Sequence, residues 1–90
     1  MTQPNTATTL VIGEALIDVV HPRDGESAEH VGGSPLNVAV GLSRLGHPAV
    51  LATHLGEDER GHRIQRLLTD EGVELTVASF DLDATSTAQA

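Results

Sequence analysis

The sequence predicts an α/β fold that begins with a parallel β-α-β unit. Two short apolar runs of strand length, residues 9–13 and 49–53, flank a segment whose apolar residues recur at helical spacing. Parallel strands require a crossover connection, which is usually a helix and is almost always right-handed. Polar residues at the carboxyl ends of these strands are therefore the first candidates for a functional site.

The composition argues against several classes of function. Five basic residues oppose thirteen acidic ones, and the formal net charge of −8 disfavours nucleic acid or an anionic membrane as a partner. The chain lacks cysteine, which excludes disulfides and thiolate metal sites. No apolar run approaches the ~18 residues of a membrane span, and no secretory signal is recognisable. We expect a cytoplasmic protein with a flexible N-terminus over residues 1–8 and one domain over residues 9–90.

The first helix is predicted over residues 35–45. Ser34 suits its N-cap, Pro35 its first position, and Gly46 a left-handed C-cap. Gly41 lies in mid-helix, where glycine costs about 1 kcal/mol relative to alanine, so we expect it to pack closely against a strand. The apolar side of this helix is predicted to consist of Val38, Ala39, Leu42 and Leu45.

Between the first strand and the first helix, the sequence predicts a small β-hairpin over residues 17–31. Its arms, residues 17–21 and 27–31, flank a Pro-Arg-Asp-Gly turn. A direct crossover to the helix would not need these residues. An insertion of about fourteen residues indicates a functional flap rather than a connection.

The second half of the chain continues the alternation of helices and strands. A helix is predicted over residues 58–71, with Asp58 or Glu57 at its N-terminus. Its apolar side is predicted to consist of Ile64, Leu67 and Leu68. Strands are predicted at residues 74–80 and, more weakly, at residues 86–90.

Four residues could bind a polyol, and three of them lie at the start of the first helix. Gly32 and Gly33 leave bare backbone at the positive end of the helix dipole. Asn37 lies in the first helical turn, and its carboxamide can both donate and accept hydrogen bonds. Asp18 follows a strand, and its carboxylate can accept hydrogen bonds from two adjacent hydroxyl groups. Taken alone, the glycine pair could be an ordinary tight turn, and the two polar side chains could be solvated surface residues.

Other polar residues favour structural roles. Asp58 and Gly61 fit a helix N-cap, whereas Glu14 could either contact a ligand or orient its neighbours. The five histidines lack H-x-x-x-H spacing, so no metal site is expected. Three arginines at three-residue spacing on the second helix indicate a solvated face rather than a phosphate site: Arg60, Arg63 and Arg66.

The residues before and within the first helix resemble the amino-terminal signature of ribokinase-like (PfkB) carbohydrate kinases: Gly-Gly-Ser-Pro-Leu-Asn-Val-Ala at 32–39. Residues 13–18 resemble the first strand and sugar-binding Asp of that family, and residues 56–61 its G-x-D-x-x-G loop. The resemblance, from about residue 10 to residue 87, implies an incomplete ribokinase-like fold, the amino-terminal part of a sugar kinase domain. It also implies a lid formed by the hairpin, which covers the sugar and can mediate a homodimer. The implied sugar-binding residues are Asp18, Gly32, Gly33 and Asn37.

Departures from the ribokinase pattern favour the fructokinase-like branch. Leu16 and Ser34 stand where ribokinases proper tend to carry Asn and Lys. The resemblance therefore implies phosphorylation of a hexose, fructose first, with ATP and Mg²⁺ as cofactors of the full-length enzyme. The family takes its catalytic base from a G-A-G-D-type motif near the carboxyl end, which these ninety residues lack. We expect no catalytic residue, no ATP or Mg²⁺ binding and no activity in this chain alone.

Two alternatives stand beside this hypothesis. A non-catalytic sugar-binding or interaction module would keep the same sugar contacts without the chemistry. A nucleotide-binding α/β domain is disfavoured, because the chain has no lysine for a Walker motif and no G-x-G-x-x-G after its first strand.

Overall fold

The computed structural model describes residues 7–23, 25–76, 80–81 and 84–89. It has the predicted α/β architecture, with a hairpin between the first strand and the first helix. In chain order the elements are β1 (Thr9–Ile12), β2 (Leu16–Val20), β3 (Ala28–Gly32), α1 (Ser34–Arg44), β4 (Ala49–Ala52), β5 (Leu55–Gly56), α2 (Glu59–Asp70), β6 (Glu74–Leu75), β7 (Phe80–Asp81) and β8 (Thr87–Gln89).

The main sheet is parallel and has the strand order β1-β4-β6. Val11, Leu51 and Leu75 lie in register across it and face the helices, with Leu51 fully buried. Two right-handed crossovers that proceed in the same direction across a sheet place both helices on one face. The opposite face carries Leu10 and Ile12, which are 55% and 73% exposed.

A second sheet has the order β3-β2-β8, with β2 in the centre. β3 runs antiparallel to β2 and β8 runs parallel to it. Ile17 and Val19 of β2 are buried, whereas Asp18 between them is exposed on the outer face. The predicted hairpin is therefore present as β2 and β3, and its function as a lid remains a prediction.

The two three-stranded sheets, strand β5 and both helices contribute to one hydrophobic core. Its fully or nearly fully buried apolar residues are Ala15, Ile17, Val19, Leu36, Ala39, Ala49, Leu51, Leu55, Ile64, Leu68 and Val73.

Among the described residues, neither helix is long and apolar enough to cross a membrane.

The first helix starts one residue earlier than predicted. Its N-cap is Gly33 rather than Ser34, and no side chain makes a capping hydrogen bond. The prediction for Ser34 was wrong because β3 extends through Gly32, which leaves a single residue between strand and helix. At the other end, Gly46 has a φ of +84°, which confirms the predicted left-handed residue after the helix.

The predicted apolar side of α1 was right for Ala39 and Leu42, which contact the core, and wrong for Val38 and Leu45. Val38 and Leu45 are 53% and 76% exposed, while Leu36 and Ala39 are buried. Spacing in the sequence allows either stripe, and the position of the main sheet relative to the helix decides between them. The prediction for Gly41 was wrong as well, because no atom would lie within 4 Å of a β-carbon there.

The second helix agrees with its prediction. Asp58 is its N-cap and accepts a hydrogen bond from the Gly61 amide, and Ile64 and Leu68 are buried. Of the strand expected at residues 74–80, Glu74–Leu75 pairs with β4, and within the described residues this strand ends at Leu75. Phe80–Asp81 instead pairs with β5. Residues 77–79 and most of the predicted flexible N-terminus lie outside the described residues.

Candidate functional site

An open depression of about 560 Å³ lies where the β1–β2 connection, β2 and the N-terminus of α1 meet. Two hydrogen bonds fix the connection over the end of β4: the Gly13 amide donates to the Ala52 carbonyl at 3.1 Å, and the Ala15 amide donates to the Thr53 side-chain hydroxyl at 3.0 Å. The depression thus lies at the carboxyl ends of parallel strands, as expected. Its lining consists of Glu14, Leu16, Asp18, Gly33, Ser34, Pro35 and Asn37.

Asp18 projects from the outer face of β2 and lies close to Gly32 of β3. The strand register pairs Leu16 with Gly32 and Asp18 with His30, so Gly32 is a diagonal neighbour of Asp18. A β-carbon at Gly32 would lie 2.6 Å from Asp18 Oδ2. Gly32 does not line the depression itself, but its missing side chain leaves the space that the Asp18 carboxylate occupies.

Gly33 joins β3 to α1 in a conformation that few other residues adopt. Its φ is +108°, and a β-carbon there would lie 2.7 Å from the Glu14 carbonyl oxygen. This close approach brings the start of α1 against the β1–β2 connection. Backbone donors at the helix N-terminus, where no side chain caps the helix, therefore border the depression.

Asn37 lies one turn further along α1. Its backbone amide donates to the Gly33 carbonyl at 3.0 Å, which closes the first turn of the helix. Its side chain is exposed and lines the depression. Three of the four predicted site residues therefore border one depression. The fourth, Gly32, leaves the space that the Asp18 carboxylate occupies.

Sequence reasoning missed part of the lining. Leu16 lies two residues before Asp18, and the two-residue period of a strand places it on the same face. The two-residue spacing between Leu16 and Asp18 is visible in the sequence and indicates that Leu16 also lies at the site. Pro35 was assigned only to the helix end, although it also lines the depression.

Asp58 lies outside the depression, at the start of α2, and has an unusually acidic carboxyl group. A hydrogen bond from the Thr85 hydroxyl, with further bonds from the Thr85 and Gly61 amides, lowers the pKa of Asp58 from 3.8 to about 2. Thr85 was not anticipated from the sequence, because it is 27 residues away from Asp58 and no local motif marks it.

Two arginines of α2, Arg60 and Arg63, contact the β2–β3 hairpin rather than the depression. Arg60 and Arg63 both donate to Glu29 on β3, with N···O distances of 3.1 Å. Hydrogen bonding to Arg60, together with the positive charges of both arginines, lowers the pKa of Glu29. Arg66 is 62% exposed, in agreement with the predicted solvated face.

The histidines do not belong to a metal site in the part of the chain that the structure describes. No group of three or more His, Asp or Glu residues there could hold a metal ion. His62 lies 2.7 Å from a Glu57 carboxylate oxygen at the protein surface. His54 contacts the Ala84 carbonyl oxygen at 3.2 Å.

The family-level comparison matches nearly the entire chain. Residues 6–90 fit the family model described as pfkB family carbohydrate kinase. The chain belongs to this family. The match confirms the resemblance that the motifs at residues 13–18, 32–39 and 56–61 indicated.

Individual relatives of this pfkB-family chain are sugar kinases. A fructokinase from Escherichia coli is 38% identical over 76 residues, which make up 84% of this chain and 25% of the relative. Aminoimidazole riboside kinase from Salmonella typhimurium is 34% identical over 76 residues, 84% of this chain and 24% of the relative. The chain thus spans about a quarter of the length of the curated relatives it matches.

Solved structures confirm the fold. The crystal structure of aminoimidazole riboside kinase from Salmonella enterica, complexed with aminoimidazole riboside and an ATP analog, superposes with a TM-score of 0.83 at 28% identity. That match covers 93% of this chain and 29% of the other. Halothermothrix orenii fructokinase gives 0.79 at 29% identity, covering 92% of this chain and 33% of its own. The pfkB-family chain therefore has the expected incomplete ribokinase-like fold.

Proposed function

We propose that this chain supplies the sugar-binding part of an ATP-dependent sugar kinase whose first candidate substrate is fructose. The reaction is transfer of the γ-phosphoryl group of ATP to a primary hydroxyl group of the sugar. The observation that carries the proposal is the convergence of Asp18, Gly33 and Asn37 on one depression at the carboxyl end of β1. The names of the relatives, most of them fructokinases, point to the same substrate class.

Each residue has a specific task in this proposal. The Asp18 carboxylate accepts hydrogen bonds from two adjacent sugar hydroxyls, and the Asn37 carboxamide binds a further hydroxyl as donor or acceptor. The backbone at Gly33 approaches the sugar closely because no side chain intervenes. Gly32 keeps the Asp18 carboxylate in its place, since any side chain there would displace it.

The phosphoryl-transfer chemistry is assigned to residues other than these. Transfer requires a base near the attacking hydroxyl, donors for the phosphate and usually magnesium. The described residues do not fit a magnesium site, because they contain no cluster of three metal-binding side chains. Arg60 and Arg63 form ion pairs with the Glu29 carboxylate, so we do not assign them to an ATP site either. We propose that ATP and Mg²⁺ bind elsewhere in the enzyme and that this chain alone is inactive.

Location and assembly complete the proposal. We assign the protein to the cytoplasm, where ATP is available as phosphoryl donor.

The β2–β3 hairpin acts as the lid and can also form a homodimer through its outer face, where Val20 is 38% exposed. Val20→Asp should abolish dimer formation in sedimentation experiments, and an unchanged dimer would exclude this face.

The first experiment measures sugar binding by the chain itself. Fructose added to the isotope-labelled chain should shift the amide resonances of Leu16, Gly33 and Asn37 in a saturable manner. Asp18→Asn should weaken the affinity by about tenfold or more, because it removes charge-assisted hydrogen bonds to the sugar. Asp70→Asn, which makes the same change at an exposed position on α2, should leave the affinity unaltered. Equal affinities of all three proteins would contradict the proposed site.

The second experiment tests for kinase function. In a chimera, this chain replaces the matching segment of Escherichia coli fructokinase. The chimera should phosphorylate fructose, and Asp18→Asn should lower kcat/KM by about tenfold or more while Asp70→Asn has no effect. A chimera that binds both ATP and fructose without turnover would favour a non-catalytic sugar-binding module.

A further inference from the structure

The N-terminus of α2 is joined to the segment before β8 by a single carboxylate. Asp58 Oδ1 accepts hydrogen bonds from the Gly61 amide at 2.7 Å and from the Thr85 hydroxyl at 2.6 Å. Its Oδ2 accepts a third bond, from the Thr85 amide at 2.9 Å. Thr85 is only 6% exposed, and its hydroxyl also accepts from the Gly56 amide at 3.0 Å. The Thr85 amide thus depends on Asp58, whereas the Thr85 hydroxyl has the Gly56 carbonyl oxygen, at 3.5 Å, as a second and more distant acceptor.

Helix capping alone does not account for these contacts. An N-cap needs one side-chain oxygen, and Ser, Thr, Asn and Asp all serve. At Asp58 the bond to Gly61 satisfies this need, whereas two further bonds hold Thr85. A buried hydroxyl or amide without a partner is costly, so loss of Asp58 leaves Thr85 poorly held.

The segment held by Asp58 continues directly into the strand beside Asp18. The residue after Thr85, Ser86, accepts a hydrogen bond from the Ile17 amide of β2 at 3.1 Å. β8 then runs parallel to β2, with Ala88 opposite Asp18. Without β8, the hairpin would be a two-stranded sheet, which is marginally stable on its own.

The same end of α2 also holds the other strand of the hairpin. Arg60 and Arg63 donate to Glu29 on β3, which lies opposite Val19 of β2. The start of α2 is therefore connected to the three-stranded sheet at both of its edges. The orientation of Asp18 relative to Asn37 on α1 depends on these connections.

We propose that Asp58 and Thr85 are positioning residues for the sugar site. Through β8 they hold β2 in place and so fix the Asp18 carboxylate relative to the start of α1. Neither residue touches the sugar. This inference rests on the proposed function, because the position of Asp18 matters only if Asp18 binds the sugar.

Three variants of the full chain separate positioning from helix capping. Asp58→Ser keeps a capping oxygen for the Gly61 amide and removes the bonds to Thr85. Thr85→Val removes the hydroxyl at nearly constant shape, and Thr85→Ser restores it. For each protein, amide hydrogen exchange reports on Ile17 in β2 and Leu51 in β4, and a resonance titration reports the fructose affinity.

Asp58→Ser and Thr85→Val should speed exchange at Ile17 by about tenfold and leave Leu51 unchanged, because local opening of the hairpin does not require opening of the core. Both variants should weaken fructose binding by about fivefold, the effect of imprecise positioning of a binding group. Thr85→Ser should resemble the original protein in both measurements.

The proposal is overturned if Ile17 exchange stays unchanged in both disruptive variants, or if Ile17 and Leu51 accelerate equally, which indicates a general loss of stability. If Asp58→Ser does not fold, the comparison of Thr85→Val with Thr85→Ser decides alone. A lack of fructose binding by the original chain would refute the proposed sugar site, whereas the exchange pattern would still decide whether Asp58 holds β2.

Discussion

The carboxylate of Asp18 occupies the space beside Gly32 on the neighbouring strand, where a β-carbon would lie 2.6 Å from Oδ2. The two residues are diagonal neighbours in the β2–β3 hairpin, and both were singled out from the sequence as candidate sugar contacts. Their roles differ in the structure, because Asp18 borders the depression and Gly32 does not. A substitution of Gly32 therefore tests the position of the Asp18 carboxylate directly.

Gly32→Ala should impair sugar binding without unfolding the protein. The new methyl group displaces the end of an exposed side chain, which moves at small cost, so the free energy of unfolding should change by less than about 1 kcal/mol. Fructose affinity should fall by about tenfold, the effect of losing a hydrogen bond to a charged group. Resonance titration and urea unfolding measure the two quantities. Gly41→Ala is the matched control, and an unchanged affinity in Gly32→Ala would contradict the assigned role.

The same substitution in the two helices should have opposite effects on stability. A β-carbon at Gly61 would lie 2.1 Å from the Gly56 carbonyl oxygen, so Gly61→Ala should lower the free energy of unfolding by about 2 kcal/mol or more. Gly41 has no atom within 4 Å of that position, and Gly41→Ala should raise it by about 0.5–1 kcal/mol. Urea unfolding of both variants tests the prediction, and a destabilised Gly41→Ala would show an unrecognised contact on α1.

Acid should remove the stabilisation that Asp58 provides. Its pKa is lowered from 3.8 to about 2 in the folded chain, so its contribution is complete above about pH 4 and disappears as pH falls through 2. The contribution should be about 1–2 kcal/mol, because partial solvation of the carboxylate reduces it. The measurement is the difference in unfolding free energy between the original protein and Asp58→Asn. This difference should shrink as the pH falls, and a constant difference would contradict the prediction.

The ion pairs of Glu29 should make the hairpin sensitive to salt. Glu29→Gln removes the charge that Arg60 and Arg63 contact, so amides of β3 should exchange faster in dilute buffer. These side chains are partly exposed, and added salt should reduce the difference from the original protein because it screens the pairs. Glu26→Gln, at an exposed position in the adjoining turn, is the control. Equal differences at low and high salt would exclude an electrostatic origin.

Predictions from the sequence succeeded where the signals were local. Asp58 was identified as a helix cap, and Gly46 as a left-handed residue, from neighbours within one helical turn. Asp18, Gly33 and Asn37 were selected from short motifs and border one depression, and their role in sugar binding stays a prediction.

Predictions failed where several elements must meet. The buried side of α1 was assigned to Val38, Ala39, Leu42 and Leu45, but Val38 and Leu45 are exposed and Leu36 is buried instead. Periodicity shows that a helix has an apolar side but does not locate the sheet against which it packs. Thr85 carried no signal of its own, because its partner is distant in sequence.

The sequence by itself determined the β-α-β unit with its inserted hairpin, the ends of the second helix, the acidic character of the chain and its family. Each follows from composition or from residues that interact within one turn. Only the tertiary structure decided that Gly32 makes room for Asp18 and that Asp58 holds the strand beside β2. Those relationships depend on strand register and on the pairing of distant segments, which arise when separate elements bury their apolar faces against a common core.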